Sequence, residues 1–267
     1  MGLSGTRSQA TRPRPPSARG APKAQAPSFK QVEGFPHDAG PDAKGRSRWP
    51  QRAPFFSQRG GHRIFAAAYD PVTAPLERAV LGAHRSALLA GIGGLVLDVG
   101  AGTGANLAHF RSAGKVVAAE PDPWMRGRLA TKAAGAPVPV EVRGDAAEAL
   151  GFEDATFDAV VCTCVLCSVR DLPAALSEVR RVLRPGGRLA VLEHVRAADG
   201  FAKWQRTLQP IWSCFNAGCH PDRDIAGAIT QAGFVFQSAE TFDPMPSWVL
   251  ARPWLKAVAV PAAKASA

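Results

Sequence analysis

The 267-residue chain has a single tyrosine, three methionines and no apolar run long enough to cross a membrane. Its apolar stretches Ser86–Leu97 and Ala159–Val169 fall well short of the ~20 residues that a spanning helix needs. Neither stands behind a short basic N-terminal segment, so a secretory signal is not expected. Cysteine is scarce and odd in number, five residues in all. That argues against a disulfide framework and for a reduced, intracellular setting. Acidic residues are nearly missing from the first 60 positions, which hold eleven Lys/Arg against three Asp/Glu. The other residues are almost balanced, with 21 basic and 19 acidic. The basicity therefore belongs to a tail, and no specific nucleic-acid partner is expected.

Residues 1–58 include TRPRPPSARGAPKAQAPS, rich in Pro, Ala, Ser and Arg and without apolar periodicity. Such a segment buries too little surface to offset the entropy of ordering, and it is expected to be disordered. Its prolines interrupt the amphipathic helix of a mitochondrial transit peptide. A folded domain is expected over 59–262, with a loose end at 263–267. Within it, Pro75–Ala90 has helical apolar spacing, and Leu95–Val99 is a short strand leading into glycines. Asn106–Ala113 reads as a helix. Further strands are expected at Lys115–Glu120, Val138–Arg143, Ala159–Cys164 and Arg188–Glu193, separated by helices at Pro123–Ala134 and Leu172–Leu183. Alternation of this kind implies an α/β fold: a Rossmann-like, mostly parallel seven-stranded sheet with helices on both faces. Gly233–Thr241 and Trp254–Val260 lack a long helix between them, which predicts an antiparallel C-terminal edge strand.

Three elements carry the chemistry. The turn Gly100-Ala101-Gly102-Thr103-Gly104 stands where a strand ends, and glycine there lets backbone approach a ligand. Glu120 follows the next strand, placed to accept hydrogen bonds from both hydroxyls of a ribose, with Asp122 as a competitor. Gly144-Asp145-Ala146 follows the third strand. Asp145 there suits an exocyclic amine of adenine, with the Ala146 N–H beside it, or else the N-cap of a helix over Ala146–Leu150. In order, the three outline a nucleoside site along the carboxyl ends of the strands. Gly100-x-Gly102-x-x-Ala105 also fits a dinucleotide oxidoreductase. However, Tyr69 precedes the turn and has no lysine four residues on, and no separate substrate domain follows Val195.

The segments LDVGAGTG, AAEPDPWM, GDAAEALGFEDATFDAVVC and EVRRVLRPGGRLAVLEH stand in one order over Val96–His194. On them the chain resembles the class I S-adenosylmethionine-dependent methyltransferases. The resemblance implies S-adenosyl-L-methionine as cofactor, held by Asp98, Gly100, Ala101, Gly102, Gly104, Glu120, Asp145 and Ala146. It also implies that the strand end carrying Cys162 lines the methionine part. Leu183-Arg184-Pro185-Gly186-Gly187 is characteristic of the family as a helix stop before a strand. Closer similarity, to a thiol S-methyltransferase-like branch, lies in Val161-Cys162-Thr163-x-Val165-Leu166-Cys167-Ser168-Val169, Glu193-His194-Val195, Trp204, Pro210-x-Trp212, Gly218-Cys219, Arg223 and Arg252-Pro253. That branch contains membrane-associated enzymes with a hydrophobic N-terminal anchor, where this chain has its basic tail. Tyr69-Asp70 resembles an element of quinone and phospholipid methyltransferases.

The remaining groups are read from the residues themselves. Cys162-x-Cys164-x-x-Cys167 and Cys214-x4-Cys219 do not match zinc-ribbon spacing, so no metal is expected and the cysteines read as small buried apolar residues. Cys162 and Cys164, two apart on a strand, are expected to share a face. FAKWQRTLQPIWSCFNAGC repeats Phe201, Trp204, Leu208, Ile211, Trp212 and Phe215 at helical spacing, with Pro210 as a kink point. This is a helix packed on the sheet, an apolar acceptor wall or a membrane-surface patch. His194 is the candidate proton acceptor; Tyr69, Trp204 and Trp212 are the candidate substrate contacts. The expected activity is methyl transfer to a small, fairly hydrophobic acceptor such as a thiol, a quinone or a lipid amine. A cofactor-binding regulatory module without turnover is the reading of another class. The expected location is cytoplasmic, with peripheral membrane contact.

Overall fold

The computed structural model describes residues 59–263, so the expected tail, 1–58, and 264–267 of the expected loose end lie outside the described residues. Seven strands form one sheet in the order β3-β2-β1-β4-β5-β7-β6. They are β1 (Gly93–Val99), β2 (Ser112–Ala119), β3 (Val140–Arg143), β4 (Phe157–Thr163), β5 (Leu183–His194), β6 (Phe234–Phe242) and β7 (Trp254–Pro261). Pairing is parallel from β3 across to β5, and β7 runs antiparallel to both β5 and β6. The terminal strand is thus tucked inside β6, which forms the edge.

Six α-helices flank the sheet: α1 (Arg59–Leu76), α2 (Gly82–Leu89), α3 (Pro123–Ala133), α4 (Leu172–Val182), α5 (Phe201–Phe215) and α6 (Ile225–Gln231). Side chains alternate across each strand, which builds two cores. Leu97, Val160 and Val191 join Leu176, Val179 and Ile229 of α4 and α6 on one face. Val96, Val161 and Leu192 join Leu88, Leu89 and Leu129 of α2 and α3 on the other. Asp122 and Asp171 cap α3 and α4 by accepting main-chain N–H bonds, each followed within two residues by a proline that needs no such partner.

Three expectations are corrected here, and one helix was not expected. The helix expected from Pro75 begins at Arg59, and its proline-containing length passes through a wide π-turn, Glu77–Leu81, before α2. Proline lacks the donor for a regular helical bond, and a wide turn accommodates the mismatch. Asn106–Ala113 forms only a short 3₁₀ turn, Leu107–His109, because β2 already starts at Ser112. Leu183–Gly187 stops the helix before a strand as expected, but β5 starts at Leu183 rather than at Arg188. The seven-residue α6 was not anticipated, being too short to show a repeat.

Candidate active site

The glycine turn leaves β1 at the carboxyl edge of the sheet. Gly100, Gly102 and Gly104 all have positive φ, at 62°, 58° and 88°. A Cβ built on Gly100 would lie 2.2 Å from Val165 Cγ2, so the loop after β4 rests directly on this turn. Next to it, Glu120 Oε2 accepts from the Gly102 N–H at 2.9 Å and Oε1 from the Asp122 N–H at 2.9 Å. Burial raises the Glu120 carboxyl above the usual range, opposed by those two bonds. The expected ribose acceptor therefore also fastens the turn, a role that the sequence did not reveal.

Behind the turn lies a buried polar chain. Arg85 pairs with Glu77 (2.6 Å) and donates to Asn106 Oδ1 (2.5 Å) and Thr163 Oγ1 (2.8 Å). Asn106 in turn donates to Asp98 Oδ1 at 2.6 Å. Asp98 is fully buried, and its Oδ2 has no hydrogen-bond partner among the described residues. Burial pushes the Asp98 carboxyl up to about 7, against the Asn106 bond. Arg85 and Asn106 were missed from sequence; an arginine within an apolar helical stripe was the available signal.

A pH prediction follows from Asp98. Between its ordinary value near 4 and its native value of about 7, the folded protein holds a proton that the unfolded chain has released. The native state binds more protons there, so stability falls as pH rises through that window, by at most about 1.4 kcal/mol per unit. In urea titrations of cofactor-free protein, Asp98→Asn should gain on the parent from pH 5 to 7 and hold its lead above. Parallel stability curves for the two proteins would remove Asp98 as the source.

The N-terminal helix reaches over the turn. Thr103 Oγ1 donates to Asp70 Oδ1 at 2.5 Å, and Lys132 pairs with Asp70 at 2.8 Å. Burial opposes ionisation of Asp70, yet the Lys132 and Thr103 bonds hold its carboxyl below the ordinary range. Tyr69 points toward the loop after β4. Burial pushes its phenol up, reinforced by Cys164 and opposed by Arg85.

Two expectations at the strand ends change. Asp145 caps no helix, since Ala146–Ala149 is a tight turn closed by a bridge. Its Oδ1 accepts from Gly151 N–H at 3.0 Å and its Oδ2 lies 3.2 Å from Arg143 Nε. Nor do Cys162 and Cys164 share a face. β4 ends at Thr163, and Cys164 has φ 56°, which breaks the two-residue alternation. Cys162 is enclosed in one core, whereas Cys164 packs against the other. Any contact of Cys162 with a cofactor would therefore run through its main chain.

His194 ends β5 and is almost completely buried. Its Nε2 lies 3.1 Å from Cys219 Sγ, and its Nδ1 has no hydrogen-bond partner among the described residues. Cys167 completes a buried group, with the three ligand-type atoms all within 4.8 Å of one another. A hydrogen bond from Cys219 lowers the Cys167 thiol against the opposing effect of burial, and the nearby imidazole lowers it further. Trp212 Nε1–H donates to Cys219 Sγ at 3.1 Å. Trp212 also lines an apolar hollow of about 340 Å³ with Leu208, Ile211, Phe215 and Leu250. Trp204 stands apart, 62% exposed on the outer stripe of α5. The structure thus brings Trp212 and His194 together and leaves Trp204 outside.

Comparison with known proteins bears on the family and the fold. A family model described as a methyltransferase domain matches residues 97–210. A thiol S-methyltransferase of Rattus norvegicus is 34% identical over 173 residues, 62% of this chain and 70% of its own length. A demethylmenaquinone methyltransferase of Mycolicibacterium paratuberculosis is 46% identical over 112 residues, 42% of this chain and 46% of its own. Among solved structures, a complex of DhpI with SAH superposes with a TM-score of 0.57 at 24% identity, covering 79% of this chain and 98% of the other. That last likeness concerns the fold.

Proposed function

Because the chain belongs to the class I S-adenosylmethionine-dependent methyltransferases, we propose that it methylates the sulfur of a small, fairly hydrophobic thiol. The cofactor supplies a methyl group on a sulfonium, so the leaving group is already in place. The residues present fit such a molecule. The turn at Gly100–Gly104 exposes backbone for close approach, and Glu120 is a buried carboxylate at the second strand end. Asp98 offers an unpartnered oxygen toward a cationic group. Tyr69 and Asp70 cover the turn and help to keep water out.

One observation carries the thiol reading. The hollow on α5 is apolar, and Trp212, one of its lining residues, is bonded to the Cys219 sulfur that faces His194. An apolar acceptor bound there has its reacting end led toward polar groups. Identity to thiol S-methyltransferases supports the same reading. A free thiol has a pKa of ~8.5 and is only a few per cent thiolate at neutral pH, so something must draw off its proton. We assign that step to the group around His194, since the imidazole already engages Cys219. The similarity to demethylmenaquinone methyltransferase supports a quinone acceptor as the second reading.

The exposed stripe Trp204, Leu208, Ile211 and Phe215 suits peripheral contact with a membrane surface, from which such an acceptor would be taken up. Among the described residues, no helix is long and apolar enough to cross a membrane.

The test is mass-spectrometric identification of the methylated product from a panel of alkyl thiols, quinones and lipid amines. Thioethers are expected; methylated quinone alone would reject the thiol assignment. Calorimetry should show cofactor affinity reduced at least about tenfold in Glu120→Ala, given that charge-assisted hydrogen bonds contribute about 1.5–3 kcal/mol. Unchanged affinity would remove Glu120 from the cofactor site.

A further inference from the structure

Cys167, His194 and Cys219 come from three separate segments: the loop after β4, the last residue of β5 and the loop after α5. All three are buried, and their ligand-type atoms fall within 4.8 Å of each other. The arrangement is pinned at the main chain. The His220 N–H donates to the Cys167 carbonyl at 2.8 Å, and the Arg223 guanidinium spans the carbonyls of Leu166 and Val169 at 2.7 Å each. Leu166, Val195 and Trp254 are buried beside the group, and the buried side chains of Glu193 and Arg223 also reach it. Methyl transfer from a sulfonium requires none of this, and core packing alone does not explain a histidine with an unpartnered ring nitrogen between two thiols.

We propose that Cys167, His194 and Cys219 bind a zinc ion whose open fourth position takes the acceptor thiol as its thiolate. This rests on the thiol reading above. Two thiolates and an imidazole are a donor set for zinc, and three protein ligands with one free position are the pattern of catalytic rather than structural zinc sites. Two thiolates and a neutral imidazole bring two negative charges to a doubly positive ion, so the ion and its protein ligands are together neutral before the acceptor binds, which limits the cost of burial. The Trp212 N–H bonded to Cys219 Sγ supports a ligand from outside.

The group also hangs on the segment that touches the glycine turn. Glu193, just before His194, accepts from the N–H groups of Val165 and Leu166 at 2.7 and 2.8 Å. Val165 is the residue packed against Gly100.

Binding to the ion breaks the acceptor's S–H bond, and the proton passes to water. A sulfur lone pair then forms the S–CH₃ bond while the donor's methyl–sulfur bond breaks. That electron pair goes to the donor's sulfur, and the neutral thioether leaves the metal.

The test uses the full chain purified without chelator. About one zinc per chain is expected by elemental analysis, as one three-ligand site requires. After chelator stripping, cobalt(II) should restore a thiolate-to-metal absorption band that shifts when an alkyl thiol is added. The band should vanish in Cys219→Ala and, as a second variant, in His194→Gln, with thermal unfolding confirming that each is folded. Folded, fully reduced protein that retains no zinc and shows no cobalt–thiolate band overturns the proposal. Undiminished thiol methylation by stripped protein also overturns it, while leaving the thiol reading intact. A metal-loaded protein whose band ignores every thiol and that methylates none rejects the thiol reading instead.

Discussion

Gly100→Ala should all but abolish cofactor binding and lower stability. At φ 62° a Cβ costs about 1–2 kcal/mol for an L-residue. Here it would also sit 2.2 Å from Val165 Cγ2 and 2.7 Å from Val165 Cβ. Overpacking of this sort costs a further 1–3 kcal/mol, roughly. The turn cannot yield toward Val165 without dragging the β4 loop, nor away from it without breaking the Gly102–Glu120 bond. Urea unfolding and calorimetry with S-adenosylmethionine report the two losses. Adding Val165→Ala should recover part of the stability by removing the Cγ contacts, while the conformational cost stays. A Gly100→Ala protein with the parent's midpoint and affinity would contradict the close packing.

Arg85→Leu should destabilise the chain by about 3–5 kcal/mol, the usual result of removing one partner from a buried charged group. Arg85 is 2% exposed and holds Glu77, Asn106 and Thr163 together. Its loss strands Glu77 opposite an apolar side chain and frees Asn106, so that Asp98 loses its orientation. The double variant Arg85→Leu/Glu77→Leu should regain part of the loss, because it no longer leaves the partly exposed Glu77 carboxylate unpaired, while Asn106 and Thr163 still lack the Arg85 donor. Urea midpoints decide it. A single variant within about 1 kcal/mol of the parent, the scale of an exposed pair, would show that Arg85 is solvated.

These two predictions rest on features of different visibility. Gly100, Glu120 and the strand ends were legible because a tight turn and the carboxyl edge of a parallel sheet are local consequences of residue order. The alternation of apolar runs likewise announced the sheet and its two covered faces. Arg85 was hidden: its partners Asn106 and Thr163 lie 21 and 78 residues away, and only the packing of α2 on the sheet and on the short turn Leu107–His109 brings them together. For Asp145 the alternative of a helix cap fell away, and no local signal distinguishes a short helix from the turn that formed.

The cysteines draw the sharpest line. Residue spacing argued against a ribbon-type metal site, since such sites are read within short segments. It also suggested that Cys162 and Cys164 face one way, which holds only while a strand continues. The left-handed backbone at Cys164 ends the alternation and sends the next residues over the glycine turn. Sequence by itself determined the layered fold, the nucleoside-binding edge and the family, all of which follow from local periodicity and short motifs. Tertiary structure alone decided that Cys167, His194 and Cys219 meet. Their meeting depends on β4 pairing with β5 and on α5 returning its following loop to that edge, and no periodicity along the chain encodes such a closure.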